Sequence, residues 1–96
     1  MKNSLKNIGG HFISTTPVER GKKTARFRKL AKEFEFERGK DHSEFIFGNF
    51  LIKICFYPCV YGVVIFQNGQ QIFKSDKINE EEFIKKLQEI KNGSFR

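Results

Sequence analysis

The sequence predicts an α+β domain: a basic helix towards the amino end, a four- or five-stranded antiparallel meander, and an amphipathic helix at the carboxyl end. Three observations carry that prediction. Apolar side chains recur at helical spacing between Thr16 and Phe34. The period then switches to two, with turn signals at Gly48-Asn49, Pro58-Cys59 and Asn68-Gly69. A second helical stripe follows Asn79. A chain of 96 residues has room for one core, because chains divide into domains only at greater lengths. Residues 16–96 are therefore read as one domain behind an arm at 1–15.

The arm holds Leu5, Ile8 and Phe12 at spacings of three and four, interrupted by Gly9-Gly10. The first helix opens at Thr16-Pro17-Val18-Glu19. Thr16 can accept from the amide of Glu19, Glu19 can reach back, and Pro17 falls where a missing N–H costs nothing. Phe27, Leu30, Ala31 and Phe34 form its apolar stripe, and Gly21 is a place where it can break. The alternation Phe34-Glu-Phe36-Glu predicts a short strand to Arg38. Four further strands are expected at Ser43–Phe47, Asn49–Tyr57, Val60–Gln67 and Gln70–Lys74, rich in Phe, Ile, Val and Tyr. Asn68-Gly69 is the strongest turn signal, since a type I′ turn needs positive φ at both centres.

Two-residue turns at all three joints set a register. One sheet face then collects Phe45, Phe47, Phe50, Ile52, Ile54, Phe56, Tyr61, Val63, Ile65 and Ile72, and Glu44 stands opposite Lys53. The other face is mixed, with Lys53, Tyr57, Phe66 and Phe73 among aliphatic and polar neighbours. The last helix is capped by Asn79 with Glu82 three residues on, carries Phe83, Ile84, Leu87 and Ile90, and stops at Asn92-Gly93. Its charged residues read as a solvated face.

The net charge of +7 is local. Residues 1–40 hold 11 Lys and Arg against 4 Asp and Glu, whereas residues 41–75 and 76–96 are each neutral. Arg20, Lys22, Lys23, Arg26, Arg28, Lys29 and Lys32 fall within 13 residues that contain no acid. Such a cluster repels itself and reads as a footprint for phosphate. The plainer alternative is a solvated helix face compensated by Glu33, Glu35 and Glu37. Tyr57, Phe66 and Phe73 with Lys53 suggest a platform on which bases stack. Cover by the amino-terminal helix would hide that face instead.

Cys55 and Cys59, with His11 and His42, are four potential zinc ligands. A Cys-x3-Cys spacing around a proline turn is no zinc knuckle, so one buried thiol and one turn thiol are expected, with no metal. Asp41-His42-Ser43 offers one imidazole as a candidate general base. No Ser-His-Asp set, carboxylate pair, P-loop or dinucleotide-binding glycine pattern accompanies it. The residues therefore predict a binding protein, with no cofactor, rather than an enzyme. The stretch from Phe50 to Phe66 is broken by Lys53, Pro58 and Gly62, and no apolar leader follows Lys2 and Lys6. The expectation is a cytoplasmic protein that does not enter a membrane, either a monomer or a weak dimer paired through an edge strand.

Phe27-Arg-Lys-Leu-Ala-Lys-Glu-Phe34, followed by Phe36-Glu-Arg-Gly-Lys-Asp-His42-Ser43, resembles the HicA family of toxins. These are small basic ribonucleases of αβββα fold in which a histidine follows Gly-Ser at the first hairpin. Gly39-Lys-Asp-His42 stands in place of that shorter motif, and the resemblance implies ribonuclease activity through His42. The order of elements from Asn49 to Lys91 is similar to that of PC4-like single-strand-binding proteins. In overall type the chain is compact and rich in Lys, Ile, Phe and Asn, with one concentrated basic segment. It resembles the small anti-CRISPR inhibitors of phages and mobile elements, closest in type to those aimed at type VI RNA-targeting effectors. That resemblance implies a partner that is RNA or a ribonucleoprotein, such as a CRISPR effector with its guide RNA. The residues expected to meet it are Arg20, Lys22, Lys23, Arg26, Arg28, Lys29, Lys32 and Lys53.

Overall fold

The computed structural model describes residues 16–95, so the amino-terminal arm and His11 lie outside the described residues. The order is α1 (Pro17–Glu33), β1 (Glu37–Arg38), β2 (Glu44–Phe47), β3 (Phe50–Cys55), β4 (Gly62–Gln67), β5 (Gln70–Ser75) and α2 (Glu80–Asn92). The strands form one antiparallel sheet in sequence order, with β1 and β5 at its edges.

Both helices begin as the sequence predicts. Thr16 Oγ1 accepts from the Glu19 amide at 3.2 Å, and Glu19 Oε1 accepts from the Thr16 amide at 3.1 Å. Asn79 and Glu82 repeat this reciprocal cap on α2, at 2.8 and 3.1 Å. α1 runs unbroken through Gly21, because Thr24 Oγ1 donates to the Arg20 carbonyl and the next two turns bury Phe27, Leu30 and Ala31.

The helix ends differ. α2 stops where Gly93 takes φ +73°, and the Ser94 amide returns to the Glu89 carbonyl. α1 makes the same Schellman closure, Phe36 amide to Ala31 carbonyl and Glu35 amide to Lys32 carbonyl, but with Glu35 at φ +65°. This closure occupies the residues expected to start a strand. The strand predicted from Phe34 is therefore confined to Glu37 and Arg38, while Phe36 is buried in the core.

The predicted register holds through β2, β3 and most of β4. Phe47 faces Phe50, and Glu44 faces Lys53 with an ion pair at 3.7 Å. Asn68 and Gly69 both take positive φ, as a type I′ turn demands.

Two further expectations, about the β3–β4 joint and the last strand, fail. Pro58-Cys59 is not a two-residue turn: the β3–β4 ladder ends at Cys55 and Gly62, and residues 56–61 form a loop. The reason is that α1 holds both backbone groups of Phe56. Its amide donates to Thr24 Oγ1 at 2.9 Å, and its carbonyl accepts from Arg20 Nε at 3.0 Å. The second failure is a bulge in β5, where Ile65 pairs with Phe73 but Phe66 pairs with Gln71. The extra residue, Ile72, is turned to solvent, and Phe73 packs against the core in its stead.

Both helices cover the same sheet face. Phe27, Leu30 and Ala31 of α1 and Phe83, Leu87 and Ile90 of α2 share one core with Phe45, Ile52, Ile54, Phe56, Val63 and Ile65. The Phe27 ring stacks on Phe83 at 4.4 Å and meets Phe56 edge-on at 5.2 Å. α1 therefore does not cover the mixed face. No helix among the described residues is long and apolar enough to cross a membrane.

Candidate functional site

The fold divides the seven cations of the basic segment into two groups. Arg20, Lys23 and Arg26 are held by the protein itself. Arg20 Nε donates to the Phe56 carbonyl. Lys23 Nζ stands 4.5 Å from the Phe56 ring centre, and burial lowers its pKa, partly opposed by the nearby Asp76 carboxylate. Arg26 makes a two-pronged bond to Glu80 at the start of α2, at 3.2 and 2.9 Å. That contact raises the guanidinium's pKa and lowers that of Glu80, the hydrogen bond being the larger cause in each case.

Lys22, Arg28, Lys29 and Lys32 form the second group. None makes an ion pair or side-chain hydrogen bond among the described residues. Nor do Glu33, Glu35 and Glu37 compensate any cation of α1 by an ion pair there. Lys22, Lys29 and Lys32 are exposed. Lys22 and Lys29, seven residues or two turns apart, lie opposite the stripe of Thr24, Phe27 and Ala31. Arg28 lies on the flank, one turn before Lys32, and its Nε is buried without a hydrogen-bond partner among the described residues.

Arg28 forms one wall of a cleft of about 550 Å³. A second wall is the β1–β2 connection, with Asp41, His42 and Ser43. The third is the β3–β4 loop, with Tyr57, Pro58, Cys59 and Tyr61, and Cys55 at its base. The Thr24 and Arg20 bonds to Phe56 hold this loop against α1, where a Cβ on Gly21 would stand 3.8 Å from Tyr57 Cδ2. The other end of the loop is set by Gly62, at φ +78°, where a Cβ would collide with the Ser75 carbonyl oxygen. Tyr57 is 48 % exposed at the rim.

Asp41 is the one acid among the described residues that line the cleft, and it is already engaged. Its Oδ1 accepts from the Ser43 hydroxyl at 2.6 Å and the Ser43 amide at 2.8 Å, which holds its carboxyl below the usual range. Burial pushes the Tyr61 phenol up, partly opposed by Ser43. The interaction of its side chain with Cys55 pushes the Cys59 thiol pKa up. Cys55 is buried and Cys59 exposed. Among the described residues no three His, Cys, Asp or Glu side chains gather to hold a metal ion.

The three aromatics expected on one platform fall in three places. Phe66 alone lies on the mixed face, with Lys53 Nζ 5.7 Å from its ring centre. Phe73 is carried to the core side by the bulge and lies under Lys86 of α2, at 4.9 Å. Tyr57 leaves the sheet with the loop and joins the cleft. The structure brings Arg28, His42 and Tyr57 together and sets Lys53 apart from α1 on the far side of the sheet.

Sequence reasoning missed Thr24 and Tyr61, and took Ser43 only as a neighbour of His42. Thr24 left a trace: it is the one polar member of the stripe Thr24, Phe27, Ala31, buried where an aliphatic residue would serve a plain helix. Tyr61 left none, because the cleft joins three stretches distant in sequence. Comparison with protein-family models, with curated proteins and with solved structures returns no match for this chain.

Proposed function

We propose that the protein is a non-enzymatic binding protein for RNA, taken free or within a ribonucleoprotein. In this reading it is an inhibitor of the anti-CRISPR type. It engages the guide RNA of an RNA-guided nuclease, or the channel that holds it, and so blocks or distorts guide binding. One observation carries the reading: among the described residues Lys22, Arg28, Lys29 and Lys32 have no acidic partner on the outer and cleft-side surface of α1, after Arg20, Lys23 and Arg26 are accounted for within the fold. Lys22 and Lys32 are ten residues apart, so this cationic strip runs about 15 Å along the helix, long enough for several phosphates of one strand.

The test is retention of nucleic acid. Purified at modest salt, the protein should carry material that raises its 260/280 absorbance ratio and that ribonuclease removes. It should then bind a fluorescent single-stranded oligoribonucleotide and leave it intact. Protein free of nucleic acid that fails to bind the oligoribonucleotide would sink the proposal. The HicA-like alternative draws on His42 sharing the cleft with Arg28. It predicts cleavage of the oligoribonucleotide that His42→Ala abolishes. Added to a type VI effector, the protein should inhibit more strongly before guide loading than after it.

A further inference from the structure

From the cleft beside α1 we infer a binding site for one nucleotide, with the phosphate on Arg28 and the base against Tyr57. This deepens the RNA-binding reading and rests on it: the exposed lysines of α1 track the strand, and the cleft takes one of its nucleotides.

The first ground is Arg28. Its Nε is buried and has no hydrogen-bond partner among the described residues. A buried guanidinium donor left unpaired is costly, and an acceptor brought by a ligand relieves that cost. Nε and one terminal nitrogen of arginine form a planar fork matched to two oxygens of a phosphate. Asp41, the one acid among the described residues of the cleft, faces Ser43 through two hydrogen bonds and does not pair with Arg28. Asp41 stays ionised, so the described lining carries one charge of each sign, and it is the unpaired Arg28 donor, not net charge, that calls for an anionic acceptor.

The second ground is the remaining wall. Tyr57 is half-exposed at the rim, Tyr61 is partly buried, and His42 lines the same cleft. Two phenols and an imidazole offer ring faces and hydrogen-bonding edges, which suit a base better than a bare inorganic anion. The volume of about 550 Å³ lies in the range of small-ligand sites, roughly 300–1,000 Å³. Lys32 is one turn from Arg28 on the same flank, so a strand leaving the cleft meets the exposed lysines directly.

The test is a nuclear magnetic resonance titration of the full ¹⁵N-labelled chain with each of the four ribonucleoside 5′-monophosphates, and separately with inorganic phosphate. The Arg28 Nε–H signal and the Tyr57 ring signals should shift saturably with the nucleotides. Inorganic phosphate should bind about tenfold or more weakly, because it lacks the stacked ring. Arg28→Lys keeps the charge but loses the fork and should weaken nucleotide binding by about tenfold. Tyr57→Leu should erase the advantage of nucleotide over phosphate.

Absence of saturable shifts in the wild-type chain overturns the site, as does equal binding of phosphate and nucleotide. The same samples separate this inference from the reading beneath it. If neutralising Lys22, Lys29 and Lys32 abolishes RNA binding while mononucleotides move nothing, the nucleotide site falls and the RNA-binding reading stands. If mononucleotides bind at Arg28 but no RNA strand is retained, the RNA-binding reading falls and the site stands on its own titration.

Discussion

Replacing Thr24 by valine keeps the shape of the side chain and removes one oxygen. In the native fold that oxygen donates to the Arg20 carbonyl at 2.8 Å and accepts from the buried Phe56 amide at 2.9 Å. The Arg20 carbonyl keeps its ordinary helical role, so the loss there is small. The Phe56 amide has no substitute, since the ladder ends one residue earlier at Cys55 and Gly62. An orphaned buried donor costs about 1–3 kcal/mol. For a domain of this length each kcal/mol moves the melting midpoint by roughly 4–8 °C, so Thr24→Val should melt roughly 4–24 °C below the wild type. Thermal unfolding followed by circular dichroism gives the midpoint, and hydrogen exchange reports the site. The Phe56 amide should lose protection far more than the amides of Ile52 or Ile65 in the sheet centre. A variant that melts with the wild type and keeps Phe56 protected would refute the claim that α1 fastens the cleft loop.

Three further outcomes follow from the geometry. Gly62→Ala drives a Cβ into the Ser75 carbonyl oxygen at a φ of +78°; backbone strain and overpacking together should cost about 2–5 kcal/mol, read as a large drop in the urea midpoint. Glu35→Gly relieves the positive φ at the end of α1 and should stabilise by about 0.5–1 kcal/mol, read in the same denaturation series. The Arg26–Glu80 contact depresses the Glu80 pKa in the folded state, so its stabilising contribution is present above the unfolded-state value and disappears as pH falls through the folded one. Melting midpoints of wild type and Glu80→Gln should therefore differ near neutrality and converge in acid.

What could be read from the sequence was local. The caps at Thr16 and Asn79 need only a side chain and an amide three residues away, and the Asn68-Gly69 turn needs only its own two dihedrals. The Glu44–Lys53 pairing followed from one turn and the period of two. What could not be read depends on distant partners or on a residue in an atypical role. Glu35 closes α1 in a position usually held by glycine, so the form of the closure was invisible and a strand was expected to begin at Phe34. Nothing in Gln70 to Ser75 marks Ile72 as the extra residue, yet the bulge exchanges the faces of Ile72 and Phe73. That exchange removes Phe73 from the anticipated platform. The basic segment was legible as a run of charge, but its division was not. Arg20 meets a carbonyl 36 residues away and Arg26 a carboxylate 54 residues away. The cleft depends on the same long-range bonds.

The central claim is that the exposed lysines of α1 meet RNA phosphates, while Arg20, Lys23 and Arg26 serve the fold. The most direct measurement is the salt dependence of oligoribonucleotide binding for three proteins: wild type, a Lys22→Gln, Lys29→Gln, Lys32→Gln variant, and an Arg26→Gln variant. Each lost phosphate contact lowers the slope of log affinity against log salt by about 0.7 for a single strand. The triple variant should therefore lose about two units of slope and keep the wild-type melting midpoint, whereas Arg26→Gln should keep the slope. A triple variant with an unchanged slope, or an Arg26→Gln variant that loses as much, would contradict the division of charge described here.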